Sequence, residues 1–365
     1  MRYQSPSATF RRLTTLFPFL LFGTASIHSA KLLLVAGGGT ETNTAPAAQM
    51  KLSSPFGVDF DRAGNLYFVE MTGERVRKLD ARGLVSTIAG TGIKGSEGDG
   101  GPALRAQFNG MHNLAISPND DIYLADTWNN HVRKIDAGTG TLTTIAGTGQ
   151  KGFSGDGGPA TQAQFGGVYC ASLDASGEHL YLADLDNRRI RSVNLKTGLV
   201  RTVAGNGKAG VPADGADAAD APLVDPRAVA VDRRGNVYIL ERSGNALRVV
   251  DPAGTIRTVV GTGQKGATGD GGPARQATMN GPKHLCFDPA GNVILADTEN
   301  HMIRKYLSKE GTIVRVAGSG AKGTAGLDGP PERAELNQPH GVYMHRDGTL
   351  YIADSSNNRV LKIVP

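Results

Sequence analysis

The sequence predicts an all-β fold, a six-bladed β-propeller built from four-stranded antiparallel blades. Three observations lead to this prediction. A unit recurs six times at steps of 56 to 58 residues, apolar and polar residues alternate within each unit, and turn residues separate the apolar runs. Long, regular repeats made of short strands are typical of a ring of small sheets, whereas β-sandwiches lack so regular a period.

The first thirty residues have the plan of a secretory signal peptide. Arg11 and Arg12 precede an apolar run at 13–22, and small residues follow it. The run is too short to span a membrane, and we expect cleavage near residues 25–30. Loss of the three arginines in residues 1–30 lowers the formal net charge from +5 to +2 (5 − 3). We therefore expect an exported protein, periplasmic or secreted, with a single six-bladed propeller over residues 31–365.

Each repeat has a core of two strands joined by a turn. The six cores occupy residues 56–70, 112–126, 169–184, 227–241, 283–297 and 340–354. Each core ends in a carboxylate, and a four-residue connection leads from it to a third strand. A fourth strand, such as "TLTTIAG", then enters a long Gly-rich loop. Four antiparallel strands per blade are therefore expected, with no helix.

The two ends of the chain complement each other. The sixth unit stops after its third strand, at "RVLKIVP", while the N-terminal run "KLLLVAGGG" (31–39) matches the fourth strand of the other units. The N-terminal strand is therefore expected to complete the sixth blade and close the ring, which would leave no open sheet edge.

The Gly-rich loops argue against a nucleotide cofactor. Residues 147–152, "GTGQKG", have the G-x-G-x-x-G spacing of dinucleotide-binding turns, but the spacing occurs five times and runs into Gly and Pro instead of a helix. A dinucleotide site needs one such turn at a helix N-terminus. The loops are therefore structural, and no cofactor is expected from them. Asp99, Asp156 and Asp270 in these loops are expected to cap their own turns.

The segments "YLADTWNNHVRKID" and "YIADSSNNRVLKI" resemble NHL repeats. The "AGTG…GFSGDGGPA…AQF" linker resembles that of exported bacterial NHL-repeat proteins and of the NHL domain of teneurins. The resemblance covers essentially all of residues 31–365 and implies the propeller fold. It leaves the function open, because NHL propellers serve as RNA binders, adhesion modules and, occasionally, lyases.

Residues that recur in every blade are interpreted as structural. The carboxylate that ends the second strand is followed seven positions later by an arginine in five blades. These pairs are Glu70/Arg77, Asp126/Arg133, Asp184/Arg191, Glu241/Arg248 and Asp297/Arg304. They are predicted to be diagonal cross-strand ion pairs. Asp354 is expected to lack a partner, because Leu361 stands at the arginine position. Cys170 and Cys286 are expected to be free thiols.

A position that varies between blades is the candidate binding site. The residue that begins the innermost strand is, in blade order, Phe56, His112, Tyr169, Arg227, Lys283 and His340. These side chains should surround the mouth of the central channel, and Trp128 lies in a connection on the same face. A cationic and aromatic mouth suits an anionic or carbohydrate-like small ligand, a peptide or a protein. We therefore expect a binding module that acts through its loop-bearing face, and a monomer.

Nucleic acid is not expected as a partner. The chain contains no block of five like charges, and its charge without residues 1–30 is close to neutral. Binding of nucleic acid depends mainly on neutralising phosphates with clustered Lys and Arg.

An enzyme remains the alternative. "PHGVY" (339–343) resembles a zinc-binding motif of peptidyl-α-hydroxyglycine α-amidating lyase, and "MHNLA" (111–115) is similar. This resemblance implies a divalent metal at His112 and His340, although the third ligand position holds Arg227, which cannot ligate. A lactonase-like site would need a carboxylate-rich metal cup, for which only Asp59 and Asn113 stand near enough. A metal-dependent lyase or hydrolase at the channel mouth is thus the second hypothesis.

Overall fold

Six antiparallel sheets make up the computed structural model, which describes residues 1–4 and 30–364. The predicted signal peptide therefore lies almost entirely outside the described residues. In chain order the first strands are β1 (Lys31–Gly37), β2 (Ala45–Pro46), β3 (Pro55–Phe60), β4 (Leu66–Glu70), β5 (Arg75–Leu79), β6 (Leu84–Ala89), β7 (Met111–Ile116), β8 (Ile122–Asp126), β9 (His131–Ile135), β10 (Leu142–Ala146), β11 (Val168–Leu173), β12 (His179–Asp184), β13 (Arg189–Asn194) and β14 (Val200–Ala204). The remaining strands are β15 (Ala216–Asp217), β16 (Pro226–Val231), β17 (Val237–Glu241), β18 (Ala246–Val250), β19 (Thr255–Val260), β20 (His284–Phe287), β21 (Val293–Asp297), β22 (Met302–Leu307), β23 (Thr312–Ala317), β24 (Gly341–Met344), β25 (Leu350–Asp354) and β26 (Arg359–Val364).

The predicted six-bladed propeller of four-stranded antiparallel sheets is confirmed. From the inside outwards, the blades are β3–β6, β7–β10, β11–β14, β16–β19, β20–β23 and β24–β26 with β1. The short strands β2 and β15 add a fifth strand to the first and fourth blades. β1 pairs antiparallel with β26, from Lys31↔Val364 to Gly37↔Arg359. Each innermost strand contacts the next, and β24 contacts β3.

The blades pack through apolar side chains between neighbouring sheets. An apolar residue three to five positions before each innermost strand is fully buried in all six blades. These residues are Met50, Phe108, Phe165, Leu223, Met279 and Leu336. Burial of a side chain of this size contributes about 1.5–3 kcal/mol, so this position anchors each loop to the core.

Short 3₁₀ turns are the helical structure within the described residues, each three residues long. They are Ala47–Gln49, Ala103–Arg105, Thr127–Asn129, Ala160–Gln162, Ala274–Gln276, Thr298–Asn300, Pro331–Arg333 and Ser355–Asn357. The Gly-rich loops therefore start no helix that could hold a pyrophosphate. No helix in this part of the chain is long and apolar enough to cross a membrane. Cys170 and Cys286 are free thiols, as predicted.

The recurring carboxylate and arginine form a buried ion pair in each blade. Glu70 accepts from Arg77 at 2.7 Å and Glu241 from Arg248 at 2.8 Å. The carboxylate also accepts a backbone N–H from 17 or 18 residues earlier, in the loop that enters its own blade. These donors are Ser53, Asn109, Gly166, Val224, Asn280 and Asn337. One side chain thus fixes both the third strand and the loop that leads into the innermost strand.

Two expectations about these charged groups are wrong. Asp99, Asp156 and Asp270 do not simply cap their turns. They pair with Arg133, Arg191 and Arg304 at 3.0, 2.6 and 2.9 Å. Nor does Asp354 lack a partner, because Arg359, directly opposite it on β26, donates to it at 2.7 Å. A buried carboxylate without a cation is costly, so the arginine has moved to another position of the same strand.

The blades use two versions of this ion pair. Where the carboxylate is Asp126, Asp184 or Asp297, it lies 3.4–3.8 Å from its arginine, and the loop aspartate provides the closer contact. Where it is Glu70 or Glu241, the longer side chain reaches the arginine directly, and the third residue after it is glycine. A Cβ on Gly73 would lie 2.8 Å from the Cβ of Glu70, and one on Gly244 would lie 2.5 Å from Oε2 of Glu241. The aspartate blades have asparagine there, such as Asn129, which donates to Asp126 at 2.8 Å.

This coupling predicts the outcome of a mutant cycle in the second blade. We expect Asp126→Glu alone to destabilise the protein by about 1–3 kcal/mol, because Glu and Asn129 compete for one space. Adding Asn129→Gly should restore part of that loss, with a coupling free energy of about 1 kcal/mol or more. The free energies of unfolding come from urea titration, with Asn129→Gly alone as the matched control. Additive effects of the two substitutions would contradict the interpretation.

Candidate functional site at the channel mouth

The innermost strands begin at the face that carries the Gly-rich loops and the connections between second and third strands. We call it the loop face. Pairing places the start of β7 opposite the end of β8, at Met111↔Asp126. Asn129 in the following connection donates to the carbonyl of Gly95 in a Gly-rich loop at 2.7 Å. All these segments therefore meet at one end of the channel.

All seven residues predicted at the mouth line one cavity of about 340 Å³ on the loop face. They are Phe56, His112, Trp128, Tyr169, Arg227, Lys283 and His340. The structure adds Arg242 and Gln338, together with Ser54, Met71, Ser355 and Ser356. The cavity therefore draws residues from all six blades. The role of these residues in ligand binding stays a prediction.

Aromatic contacts run around half of the mouth. The Phe56 ring stacks on His340 at 3.9 Å between centroids and meets the edge of His112 at 5.1 Å. His112 in turn contacts Tyr169 at 4.7 Å, and the Arg227 guanidinium lies 4.5 Å from the centre of the Tyr169 ring. Each side chain is therefore held by its neighbour from the adjacent blade. Together the rings form an aromatic wall of defined shape along this half of the mouth.

Trp128 stands at the outer edge of this wall. Its ring contacts His112 at 5.5 Å and carries Lys94 5.3 Å from its centre. With 45% of its surface exposed, it is the most accessible aromatic ring of the site. It is positioned to pack against a ligand that projects from the mouth.

Hydroxyl groups fix the start of three innermost strands. Thr127, Thr298 and Ser355 each follow the carboxylate of their own blade. They donate to the carbonyls of Val168, Pro339 and Pro55 in the next blade at 2.7, 2.8 and 2.6 Å. The residues after these carbonyls are Tyr169, His340 and Phe56. The orientation of the mouth side chains is thus set by bonds between blades.

Both histidines are neutral and share one tautomer. Nδ1 of His112 lies 2.7 Å from the carbonyl oxygen of Gly110, and Nδ1 of His340 lies 2.9 Å from that of Gln338. A carbonyl accepts only, so each Nδ1 carries the proton and each Nε2 presents a lone pair. Burial, with the nearby charges of Arg227 and Lys283, holds both pKa values well below the usual range. The two Nε2 atoms therefore act as hydrogen-bond acceptors.

The three cations at the mouth differ in how they are compensated. Lys283 lies 2.6 Å from Glu299, and Arg242 lies 2.8 Å from Asp225. Arg227 is only 4% exposed, and it donates through Nη1 to the carbonyl of Tyr169 at 3.3 Å. Its Nε has no hydrogen-bond partner, and it forms no ion pair among the described residues. Burial lowers the pKa of Arg227 to about 10, which leaves it charged at neutral pH.

A hydrogen bond crosses the channel below the mouth. Asn113 in the second blade and His284 in the fifth lie on opposite sides of the ring, and Nδ2 of Asn113 lies 2.9 Å from Nε2 of His284. A second cavity of about 380 Å³ begins below this contact and includes Asp59, Cys286 and Tyr343 in its lining. The two cavities share no lining residue. The mouth and the lower part of the channel are therefore two distinct cavities.

The residues of the mouth do not fit a divalent metal. The Phe56 ring lies against both His112 and His340, and Arg227 occupies the third ligand position of the metal hypothesis. Within residues 30–364, no group of three or more His, Cys, Asp or Glu side chains is arranged to hold an ion. The positive field of Arg227 and Lys283 also disfavours a cation. Asp59 and Asn113, considered for a lactonase-like cup, line the other cavity.

Sequence comparison between blades missed Arg242 and Gln338. Arg242 occupies the first position of its connection, where the other blades have Thr, Ser, Met or Leu. The variable-position argument, applied to the connections as well as to the strand starts, would have found it. Gln338 precedes its strand by three residues and donates to Glu299 at 2.8 Å, a contact between the fifth and sixth blades with no signal in the sequence.

Family models and relatives agree on the repeat type. The teneurin NHL domain model matches residues 168–268, and the NHL repeat model matches residues 336–363. NHL repeat-containing protein 2 of Homo sapiens is 27% identical over 73% of this chain and 40% of its own length. Protein SUPPRESSOR OF QUENCHING 1, chloroplastic, of Arabidopsis thaliana is 27% identical over 75% of this chain and 27% of its own. The chain thus spans less than half of either relative.

Solved structures show the same architecture. An auxiliary nutrient binding protein from Bacteroides thetaiotaomicron superposes with a TM-score of 0.68 at 16% identity, over 92% of this chain and 76% of that one. The virginiamycin B lyase from Staphylococcus aureus superposes with a TM-score of 0.54 at 12% identity, over 92% and 99% of the two chains. At these identities the likeness establishes the fold only.

Glu74, in the connection between β4 and β5, holds the loop that leads to His112 and gives a pH-dependent prediction. It accepts from the N–H of Gly110 at 2.9 Å, and the carbonyl of Gly110 fixes the tautomer of His112. Its other oxygen is buried without a partner, and burial raises its pKa to about 7. A carboxyl whose pKa is raised by folding stabilises the folded state below its unfolded pKa, and that stabilisation is lost as the pH rises through 7.

We therefore expect the free energy of unfolding to fall more steeply between pH 5 and pH 8 in the native protein than in Glu74→Gln. The difference should be about 1–3 kcal/mol. Denaturant titrations of both proteins across this range measure it, since all other groups titrate alike in the two. If the free energy of unfolding depended on pH equally in the two proteins, Glu74 would ionise in the folded state without loss of stability.

Proposed function

Since the chain belongs to the NHL-repeat β-propeller family, we propose that it is an exported binding module whose channel mouth binds a small anionic ligand. The observation that carries this proposal is Arg227, a buried guanidinium that forms no ion pair among the described residues. An uncompensated buried charge destabilises the folded state by roughly several kcal/mol, and a bound carboxylate or phosphate would offset that loss. Its planar donors match such anions well.

Binding accounts for the site better than catalysis. Both histidines use Nδ1 to hold a backbone carbonyl, and no hydroxyl in the cavity bonds to Nε2 of either ring within the described residues. Ser355 donates to the carbonyl of Pro55, and Ser356 to Gln338. A nucleophile next to a general base, as covalent catalysis requires, is therefore not assembled here.

Arg227→Met tests the proposal. We expect the variant to be more stable than the native protein without ligand, by about 1–2 kcal/mol, because a buried charge is replaced by an apolar side chain. Inorganic phosphate, benzoate and D-glucuronate are then added singly while the melting temperature is followed. At least one should stabilise the native protein, by about 2.7 kcal/mol at 100 times its dissociation constant, and none should stabilise the variant.

Arg275→Gln is the control for this experiment, because Arg275 is an exposed arginine paired with Asp214 outside the mouth. It should respond to the anions as the native protein does. Equal stabilisation of Arg227→Met and the native protein would overturn the proposed site.

Export is supported by the arrangement of Arg11, Arg12 and the apolar run at 13–22. When the full chain is expressed in a bacterium, we expect the product outside the cytoplasm to begin between residues 26 and 31. N-terminal sequencing of the periplasmic and medium fractions measures this. Arg11→Glu/Arg12→Glu should retain the protein in the cytoplasm, because a positive segment precedes the apolar run in a signal peptide. An uncleaved native chain in the cytoplasm would contradict export.

A further inference from the structure

The polar atoms that face the mouth define the ligand more closely than its charge alone. Nε2 of His112 and Nε2 of His340 present lone pairs, while Arg227 presents donors. Lys283 and Arg242 are already engaged by Glu299 and Asp225. A ligand that satisfies the site must therefore offer an anionic acceptor to Arg227 and hydrogen-bond donors to the two imidazoles.

We propose, on the basis of the proposed anion site, that the ligand is a hydroxylated carboxylate of the sugar-acid class, such as a hexuronate. Its carboxylate binds the guanidinium of Arg227, and its hydroxyl groups donate to Nε2 of His112 and His340. The apolar faces of the sugar ring pack against the aromatic wall of Phe56, Tyr169 and Trp128.

The donors on the ligand are hydroxyl groups and not an ammonium group. Arg227, Lys283 and Arg242 all lie at the mouth, and their positive charges disfavour a further cation there. Burial, together with the same positive charges, lowers the pKa values of His112 and His340 and keeps both rings neutral. An amino acid would place its ammonium group in this field, whereas a hydroxyl group donates without adding charge.

A bare phosphate or an unsubstituted carboxylate satisfies only part of the site. Either could bind Arg227, but neither carries the set of hydroxyl groups that would donate to both Nε2 atoms while the anionic group stays on the guanidinium. Buried polar atoms left without partners cost about 1–3 kcal/mol each, so such ligands should bind more weakly than a hydroxylated one.

The shape of the site agrees with one sugar ring. A cavity of about 340 Å³ lies at the lower end of the range of small-molecule sites, roughly 300–1,000 Å³. It is distinct from the cavity that Asn113 and His284 line, so we expect the ligand to enter from the loop face. Trp128 stands at that entrance with nearly half of its surface exposed, where a ring can stack on it.

Matched ligands separate the contributions of the carboxylate and the hydroxyl groups. We would measure dissociation constants by calorimetry for D-glucuronate, D-glucose, D-glucosamine, cyclohexanecarboxylate and inorganic phosphate. D-glucuronate should bind at least tenfold more tightly than each of the others, which corresponds to about 1.4 kcal/mol or more. His340→Phe, which keeps an aromatic ring against Phe56, should weaken D-glucuronate about tenfold and leave cyclohexanecarboxylate unchanged.

The outcomes distinguish this inference from the function on which it rests. If cyclohexanecarboxylate or phosphate binds as tightly as D-glucuronate, and Arg227→Met abolishes that binding, the anion site stands and the sugar-acid assignment is overturned. If D-glucosamine binds best, the argument from the positive field is wrong. If no anion binds the native protein, the proposed function fails together with the inference.

Discussion

The buried carboxylate–arginine contact is the constraint on which the whole propeller depends. Each blade buries one carboxylate at the end of its second strand and one arginine on its third, and neither can be left alone in an apolar sheet. The same carboxylate holds the loop that enters its own innermost strand. Electrostatic compensation within a blade therefore also sets where the wall of the channel begins.

This constraint has more than one solution. The glutamate blades reach the arginine directly and need a glycine such as Gly73 beside the longer side chain. In the aspartate blades, Asn129 or its equivalent donates to the aspartate, and a second carboxylate from the preceding Gly-rich loop pairs with the arginine. The sixth blade moves the arginine to position 359 instead. What stays constant is the compensated charge, and the residues that supply it change together.

Features of the structure could be predicted where they depend on residues close together in the sequence or on the repeat, and could not where they depend on distant residues. The blades and their strands could be predicted because a period of two and a long repeat are local patterns. The mouth could be predicted because variation at one repeat position reveals residues that packing does not dictate. The partner of Asp99, and the contact of Asn113 with His284 across the ring, depend on side chains about 34 and 171 residues apart. No spacing rule reaches that far, and single-residue analysis assigned Asp99 to its own turn.

The buried arginines of this protein fall into two kinds, those paired with carboxylates within a blade and Arg227 at the channel mouth. Arg133, Arg191 and Arg304 are fully buried, and each lies between two carboxylates. Arg227 is almost as buried, yet it lies against the ring of Tyr169 and forms no ion pair among the described residues. Since the fold pairs its structural arginines with acidic side chains in every blade, the absence of such a pair at Arg227 is not a requirement of the fold. The charge of Arg227 in this cavity is therefore the observation from which we propose an anion that the chain itself does not supply.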